Sequence, residues 1–212
     1  MLNDRYVEML KDKYKISYLS YKEGKPTESF SSHQPLLIHT LNTIQEGKVL
    51  EIGMGYNSTP LMHIVCGMQN RELVSVETDE EWYNRFTRYR SNRHKVVLIP
   101  YIISKNHKIA PVQDPARLLN DEVIKQKYAV AFVDLSPAEF RQPVIEQIKD
   151  TADYIVVHDT ECVWQGLKNV YAYDFSMFKH VFHFKTEPPT SCLLSNLDKI
   201  NSKLLDIFKI NA

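Results

Sequence analysis

A chain of 212 residues has the length of one domain and can bury most of the surface that its unfolded form would expose. Hydrophobic residues at 43% and charged residues at 25% are ordinary globular proportions, and no apolar run is long enough for a membrane-spanning helix. Lysine plus arginine and aspartate plus glutamate both count 26, a balance that argues against a nucleic acid as the main partner, since such binding leaves an electrostatic footprint.

Cys66, Cys162 and Cys192 form no pair at metal or redox spacing, so free thiols in a reducing compartment are expected. The opening stretch MLNDRYVEMLKDKYK is charged throughout and unlike a secretory leader, which makes the cytoplasm the expected setting. Residues 2–15 space Leu2, Tyr6, Met9 and Leu10 along one face of an amphipathic helix. Residues 16–34 read as an irregular cap segment that ends in the cluster Ser29-Phe30-Ser31-Ser32-His33. A helix follows over 35–44, carrying Leu36, Leu37, Ile38 and Leu41 and closing near Gly47.

Residues 48–77 hold the pattern around which the rest is arranged. The buried run 48–52 reaches Glu51 and Ile52, and Gly53-Met54-Gly55 then allows positive φ or close approach of a ligand to the backbone. Ser58 and Thr59 can cap a helix with Pro60 in its first turn, and Leu61, Met62, Ile64, Val65 and Met68 follow at helical spacing. A second β-rich run, 73–76, closes on Glu77. This is one βαβ unit with a crevice at the carboxyl ends of its strands. The helix start suits an anionic or strongly polar group, and Glu77 can accept both hydroxyls of a ribose. A dinucleotide would want a third glycine where Ser58 stands. Glu51, directly before the turn, fits a cation better than a pyrophosphate, which favours the sulfonium and ammonium of S-adenosylmethionine.

Beyond Glu77, Asp79-Glu80-Glu81-Trp82 opens a helix with acids in its first turn. The basic stretch 85–95 reads as the solvated face of that helix, and 96–100 as a third strand. Residues 104–120 form a long excursion. The apolar run 128–134 is a fourth strand ending on Asp134, with 136–139 starting the next helix. The run 153–161 repeats the pattern and ends on His158, Asp159 and Glu161. Glu77, Asp134, His158 and Asp159 therefore all stand at strand ends, which share one rim in a parallel sheet. Trp164 can wall a pocket there or pack in the core. Residues 179–185 and 190–195 read as a hairpin, and 197–210 as a terminal amphipathic helix.

Glu51-Ile52-Gly53-Met54-Gly55-Tyr56-Asn57-Ser58, with Glu77 at the next strand end, resembles motif I and the ribose acid of class I S-adenosylmethionine-dependent methyltransferases. The resemblance covers about residues 35–195, and Asn57 stands where the family more often has a further glycine. It implies an α/β, Rossmann-like methyltransferase fold with a seven-stranded, mostly parallel sheet in the order 3-2-1-4-5-7-6 and helices on both faces. One domain spans 1–212: a helix and cap segment at 1–34, the core at 35–195 and a C-terminal helix at 196–212. Cofactor contacts are implied for Glu51, Gly53, Met54, Gly55, Ser58, Glu77 and Asp134. In the family the segment before the first strand often covers the cofactor or touches the acceptor, which gives His33 a functional reading beside that of a solvated loop residue.

The implied reaction is methyl transfer from S-adenosylmethionine to a small-molecule acceptor, at oxygen, with no membrane or nucleic-acid partner. For a hydroxyl acceptor the protein must help remove a proton. His158 can serve as base, or Asp134 and Asp159 can hold a divalent cation that acidifies the acceptor. These strand-end acids resemble the metal-ligand positions of catechol-type O-methyltransferases and of a cephalosporin-hydroxylase-like subgroup. Thr160 replaces the amide that the catechol-type pattern expects after the second acid, so a metal is not counted among the expected cofactors. His158, Asp159 and Asp134 are the expected catalytic group. A non-catalytic cofactor-binding module and an NAD-dependent oxidoreductase are the other readings.

Overall fold

The computed structural model describes residues 31–104, 112–161, 173–185 and 189–209. The helix read at 2–15, Cys162 and Trp164 lie outside them. In chain order come α1 (Gln34–Thr43), β1 (Val49–Ile52), α2 (Thr59–Met68), β2 (Leu73–Glu77), α3 (Glu80–Phe86) and β3 (His94–Leu98). They are followed by β4 (Ile102–Ser104), β5 (Val112–Asp114), α4 (Ala116–Asn120), β6 (Tyr128–Val133), α5 (Arg141–Ile148) and β7 (Ala152–His158). The last elements are β8 (His180–Phe184), β9 (Ser191–Ser195) and α6 (Asp206–Lys209).

The apolar runs form the strands they predict because both faces of the sheet are covered. Alternate residues of a strand point to opposite faces. Val49, Leu73, Val130, Phe132 and Val156 meet α1, α2 and the last helical turns in one core. Leu50, Val74, Ala131, Val133 and Ile155 meet α4, α5 and Phe175 in the other. The seven strands run in the order β3-β2-β1-β6-β7-β9-β8. With the separate β4–β5 pair left out, this is the expected 3-2-1-4-5-7-6. Strands β3 to β7 along the sheet are parallel, and β9 enters antiparallel between β7 and β8.

Several boundaries differ from the sequence reading. Helix α1 stops at Thr43, before Gly47, whose φ of +81° serves a tight approach to Ala129 instead of a helix cap. Strand β3 begins at His94, because its first residues pair with Leu73 and Val74. The excursion read at 104–120 contains the antiparallel β4–β5 pair and the short helix α4. The terminal helix is shorter than read, a 3-10 turn at Ser202–Leu205 continued by α6. Cys66 and Cys192 are buried free thiols. Among the described residues no helix is long and apolar enough to cross a membrane.

Candidate cofactor and acceptor site

Parallel order brings the ends of β1, β2, β6 and β7 to one edge. Gly53 takes φ +91°, and a Cβ there would stand 2.5 Å from the Asp134 carbonyl oxygen and the Leu135 backbone. Its lack of a side chain is thus required by the neighbouring strand. Gly55 has ordinary φ, and a Cβ there would meet only the Ser58 hydroxyl, at 3.3 Å. Met54 between them is buried; its amide donates to Glu77 Oε2 at 2.9 Å and its carbonyl accepts from the Trp82 indole. The other oxygen of Glu77 accepts from the Thr78 and Asp79 amides at 2.7 and 3.1 Å. Burial raises the Glu77 pKa while these backbone donors oppose the shift.

Glu51, for which a cofactor contact is expected, lies fully buried beside the turn. Oε1 accepts from Thr59 Oγ1 at 2.9 Å, and Thr59 Oγ1 in turn accepts from the Gly55 amide at 3.0 Å. Oε2 accepts from the Ser75 hydroxyl, which also contacts His94 Nε2 at 2.8 Å. Burial pushes the Glu51 carboxyl up to about 7, against the pull of these hydroxyl donors. Ser58 is buried at the start of α2 but makes no side-chain cap bond.

On the other side of the edge, Asp134, His158 and Asp159 converge. His158 Nδ1 stands 3.3 Å from Asp134 Oδ2 and 3.6 Å from Asp159 Oδ1. The Ser32 hydroxyl donates to the Pro189 carbonyl and lies 3.0 Å from His158 Nε2, so that nitrogen carries the hydrogen toward Ser32. Both ring nitrogens of His158, the residue offered as base from sequence, are therefore engaged. Burial works against its charge, yet Asp134 and Asp159 together raise its pKa. Asp134 is likewise opposed by burial and still held well below the usual carboxylate range by His158 and Arg141.

Arg141 was not read from the sequence as part of the site. Its guanidinium bonds Asp134 Oδ1 at 2.8 Å and Asp159 Oδ2 at 2.7 Å, and Nε donates to the Leu135 carbonyl at 2.7 Å. It stands between the two carboxylates, where the alternative divalent cation would lie. Asp159 itself takes φ +58°, a left-handed conformation that Asp tolerates better than most residues and that marks strained site positions. Tyr173 caps the cluster, donating its hydroxyl to the His158 carbonyl at 3.2 Å.

His33, read as a solvated residue or a functional one, is 1% exposed. It occupies the position before α1 with its carbonyl accepting from Leu37, and its ring packs on Phe132 and edge-on against His158 with centroids 4.8 and 4.7 Å away. Neither ring nitrogen has a hydrogen-bond partner among the described residues. The Asn57 carbonyl, which accepts from Gln34 at 2.7 Å, lies close enough to the His33 ring to favour its protonation slightly. Burial, with His158 adding to it, pushes the His33 pKa down to about 3, so the ring is neutral.

No protein-family model and no curated protein matches the sequence. Solved structures do match. The Podospora anserina methyltransferase PaMTH1, bound to SAH, superposes with TM-score 0.57 at 13% identity, covering 92% of this chain and 95% of that one. An O-methyltransferase from Bacillus cereus in complex with SAH gives 0.54 at 13% identity, over 91% and 96%. Human methyltransferase-like protein 13 in complex with SAH gives 0.53 at 17% identity, over 84% and 89%. At such identities the likeness is one of fold, and it agrees with the strand order and the glycine turn: the chain has the fold of the class I S-adenosylmethionine-dependent methyltransferases.

Proposed function

We propose that the protein binds S-adenosylmethionine at the glycine turn and transfers its methyl group to the oxygen of a small-molecule acceptor. The observation that carries this reading is the meeting of the Gly53–Gly55 turn, the Glu77 carboxylate and the Asp134–His158 pair on one sheet edge. The SAH in the matching structures supports the cofactor, and the likeness to the Bacillus cereus O-methyltransferase supports oxygen as the target. The buried thiols Cys66 and Cys192 support a reducing, cytoplasmic setting. A single domain over 1–212 belongs to the same reading.

When bound, S-adenosylmethionine would supply an electrophilic methyl group, and its transfer to the acceptor oxygen would leave S-adenosylhomocysteine. Gly55, Met54 and Ser58 would border its methionine part, and Glu77 would take a ribose hydroxyl with the acceptor capacity its backbone donors leave open. Glu51 supplies negative potential from below the turn, which favours the sulfonium. Asp134 and His158 receive the acceptor's proton, while Asp159, through Arg141, fixes their orientation.

A panel of catechols, phenols and aliphatic alcohols, assayed for S-adenosylhomocysteine release, tests the transfer. Turnover on any of them supports it. Cofactor binding without turnover on any acceptor selects the non-catalytic module, and preference for NAD selects the oxidoreductase.

A further inference from the structure

We propose that His33, His158 and Asp134 form a binding site for one divalent transition-metal ion of the zinc type. One ligand atom from each lies within 4.8 Å of the others. The three come from distant parts of the chain: the segment entering α1, the end of β7 and the end of β6. The rim described above supplies two of them, but the inference does not depend on methyl transfer.

Three features point to a metal. The first is His33, a buried imidazole with both nitrogens unpartnered among the described residues and its ring against His158. Buried polar groups in folded proteins have partners, so an orphan imidazole facing another imidazole and a carboxylate is a ligand in waiting. The second is the tautomer of His158. The Ser32 hydroxyl gives its hydrogen to the Pro189 carbonyl, so Nε2–H points at Ser32 and Nδ1 presents a lone pair toward Asp134 Oδ2. Nδ1 and Asp134 Oδ2 stand 3.3 Å apart, a gap that a proton closes in the ion pair and that a metal ion would close in the loaded site. A hydrogen-bonded distal N–H is also what metal-ligating histidines use to fix their orientation.

The third is distance. Zinc–nitrogen and zinc–oxygen bonds of about 2.0–2.1 Å at tetrahedral angles put neighbouring ligand atoms on the order of 3.3 Å apart. The His158–Asp134 pair already has that separation at 3.3 Å, and a shift of the His33 ring closes the third side. Two imidazoles and one carboxylate suit zinc, cobalt or iron(II), whereas magnesium and calcium prefer all-oxygen sets. Arg141 occupies Asp134 Oδ1 and Asp159 Oδ2, which turns the ion toward Oδ2 of Asp134 and away from Asp159. Three protein ligands leave a fourth position open, and the partly exposed Asp134 directs it to the edge where an acceptor oxygen would arrive.

The test uses the full chain, stripped with a chelator and titrated with Co²⁺ and Zn²⁺ in the absence of S-adenosylmethionine. The expected result is one equivalent of Co²⁺ with visible d–d absorption of a low-coordinate nitrogen/oxygen site, displaced by Zn²⁺ and not by a large excess of Mg²⁺. His33→Ala should weaken binding roughly 100-fold or more. His63→Ala, which removes the other close imidazole pair with His94, should leave the spectrum unchanged. Absence of stoichiometric binding, binding that survives His33→Ala, or equal competition by Mg²⁺ overturns the proposal. Should His158→Ala fail to fold, the His33→Ala result alone decides. S-adenosylmethionine affinity measured on the same metal-free sample reports on the cofactor reading separately.

Discussion

Glu51 carries a charge that burial disfavours, and its protonation links folding to ligand binding. Its folded pKa of about 7 lies above the ordinary 4.5, so between those values the folded state holds a proton that the unfolded state has released. Stability from this group is complete below about 4.5 and is lost as pH rises toward 7. Glu51→Gln removes the dependence: its stability relative to wild type, measured by urea unfolding, should improve by on the order of 2 kcal/mol from pH 5 to pH 8. A slope equal to that of wild type would contradict this. Ligand affinity should move the other way. The ionised carboxylate favours the sulfonium, so the preference for S-adenosylmethionine over S-adenosylhomocysteine should rise through pH 7 in wild type and stay flat in Glu51→Gln. The two glycines of the turn separate at the same scale. Gly53→Ala meets both a left-handed φ and backbone at 2.5 Å and should cost about 2 kcal/mol or more, read as a lowered Tm. Gly55→Ala should leave Tm nearly unchanged and weaken cofactor binding. In sequence the two looked alike; only the position of β6 distinguishes a packing requirement from a ligand-facing one.

Among the elements, the strands were legible because each is a short apolar run between polar ends, and a sheet covered on both faces needs little else. The helices that pack on them, α1 and α2, followed from apolar spacing. The β4–β5 pair was not legible, since Ile102–Ser104 and Val112–Asp114 are three-residue strands with no periodicity to detect. Arg141 left one faint signal. It opens α5, where the helix dipole disfavours a cation and where no acid stands in the first turn. A cation in that position implies a local anion, and here Asp134 and Asp159 supply it. Removing it strands two largely buried carboxylates, so Arg141→Met should lower stability by about 3–5 kcal/mol in denaturant unfolding. Arg141→Met combined with Asp159→Asn should cost less than the sum of the single changes. Strict additivity would show that the pair does not act as a unit. His33 and Ser32 were not placed by sequence because their role depends on a segment before α1 folding back onto β6 and β7, and a polar cluster carries no record of that.

At the scale of the whole molecule, the functional edge is a product of topology. Five parallel strands send their carboxyl ends to one side, so residues 53, 77, 134 and 158 meet although long stretches of chain separate them. Glu77 reaches back to the glycine turn through the Met54 amide, and Thr78 reaches across to the Ser136 carbonyl at 3.4 Å. The strand order distinguishes this sheet from the dinucleotide-binding arrangement, because β9 inserts antiparallel between β7 and β8. The Met54 amide joins the glycine turn to Glu77, the carboxylate proposed to hold the cofactor ribose. A calorimetric titration of the full chain and its Glu77→Ala variant with S-adenosylmethionine tests the cofactor claim most directly. One equivalent bound by wild type, with affinity lower by about 1–3 kcal/mol in the variant, is the predicted result. No binding by wild type, or equal affinity in the two proteins, would contradict it.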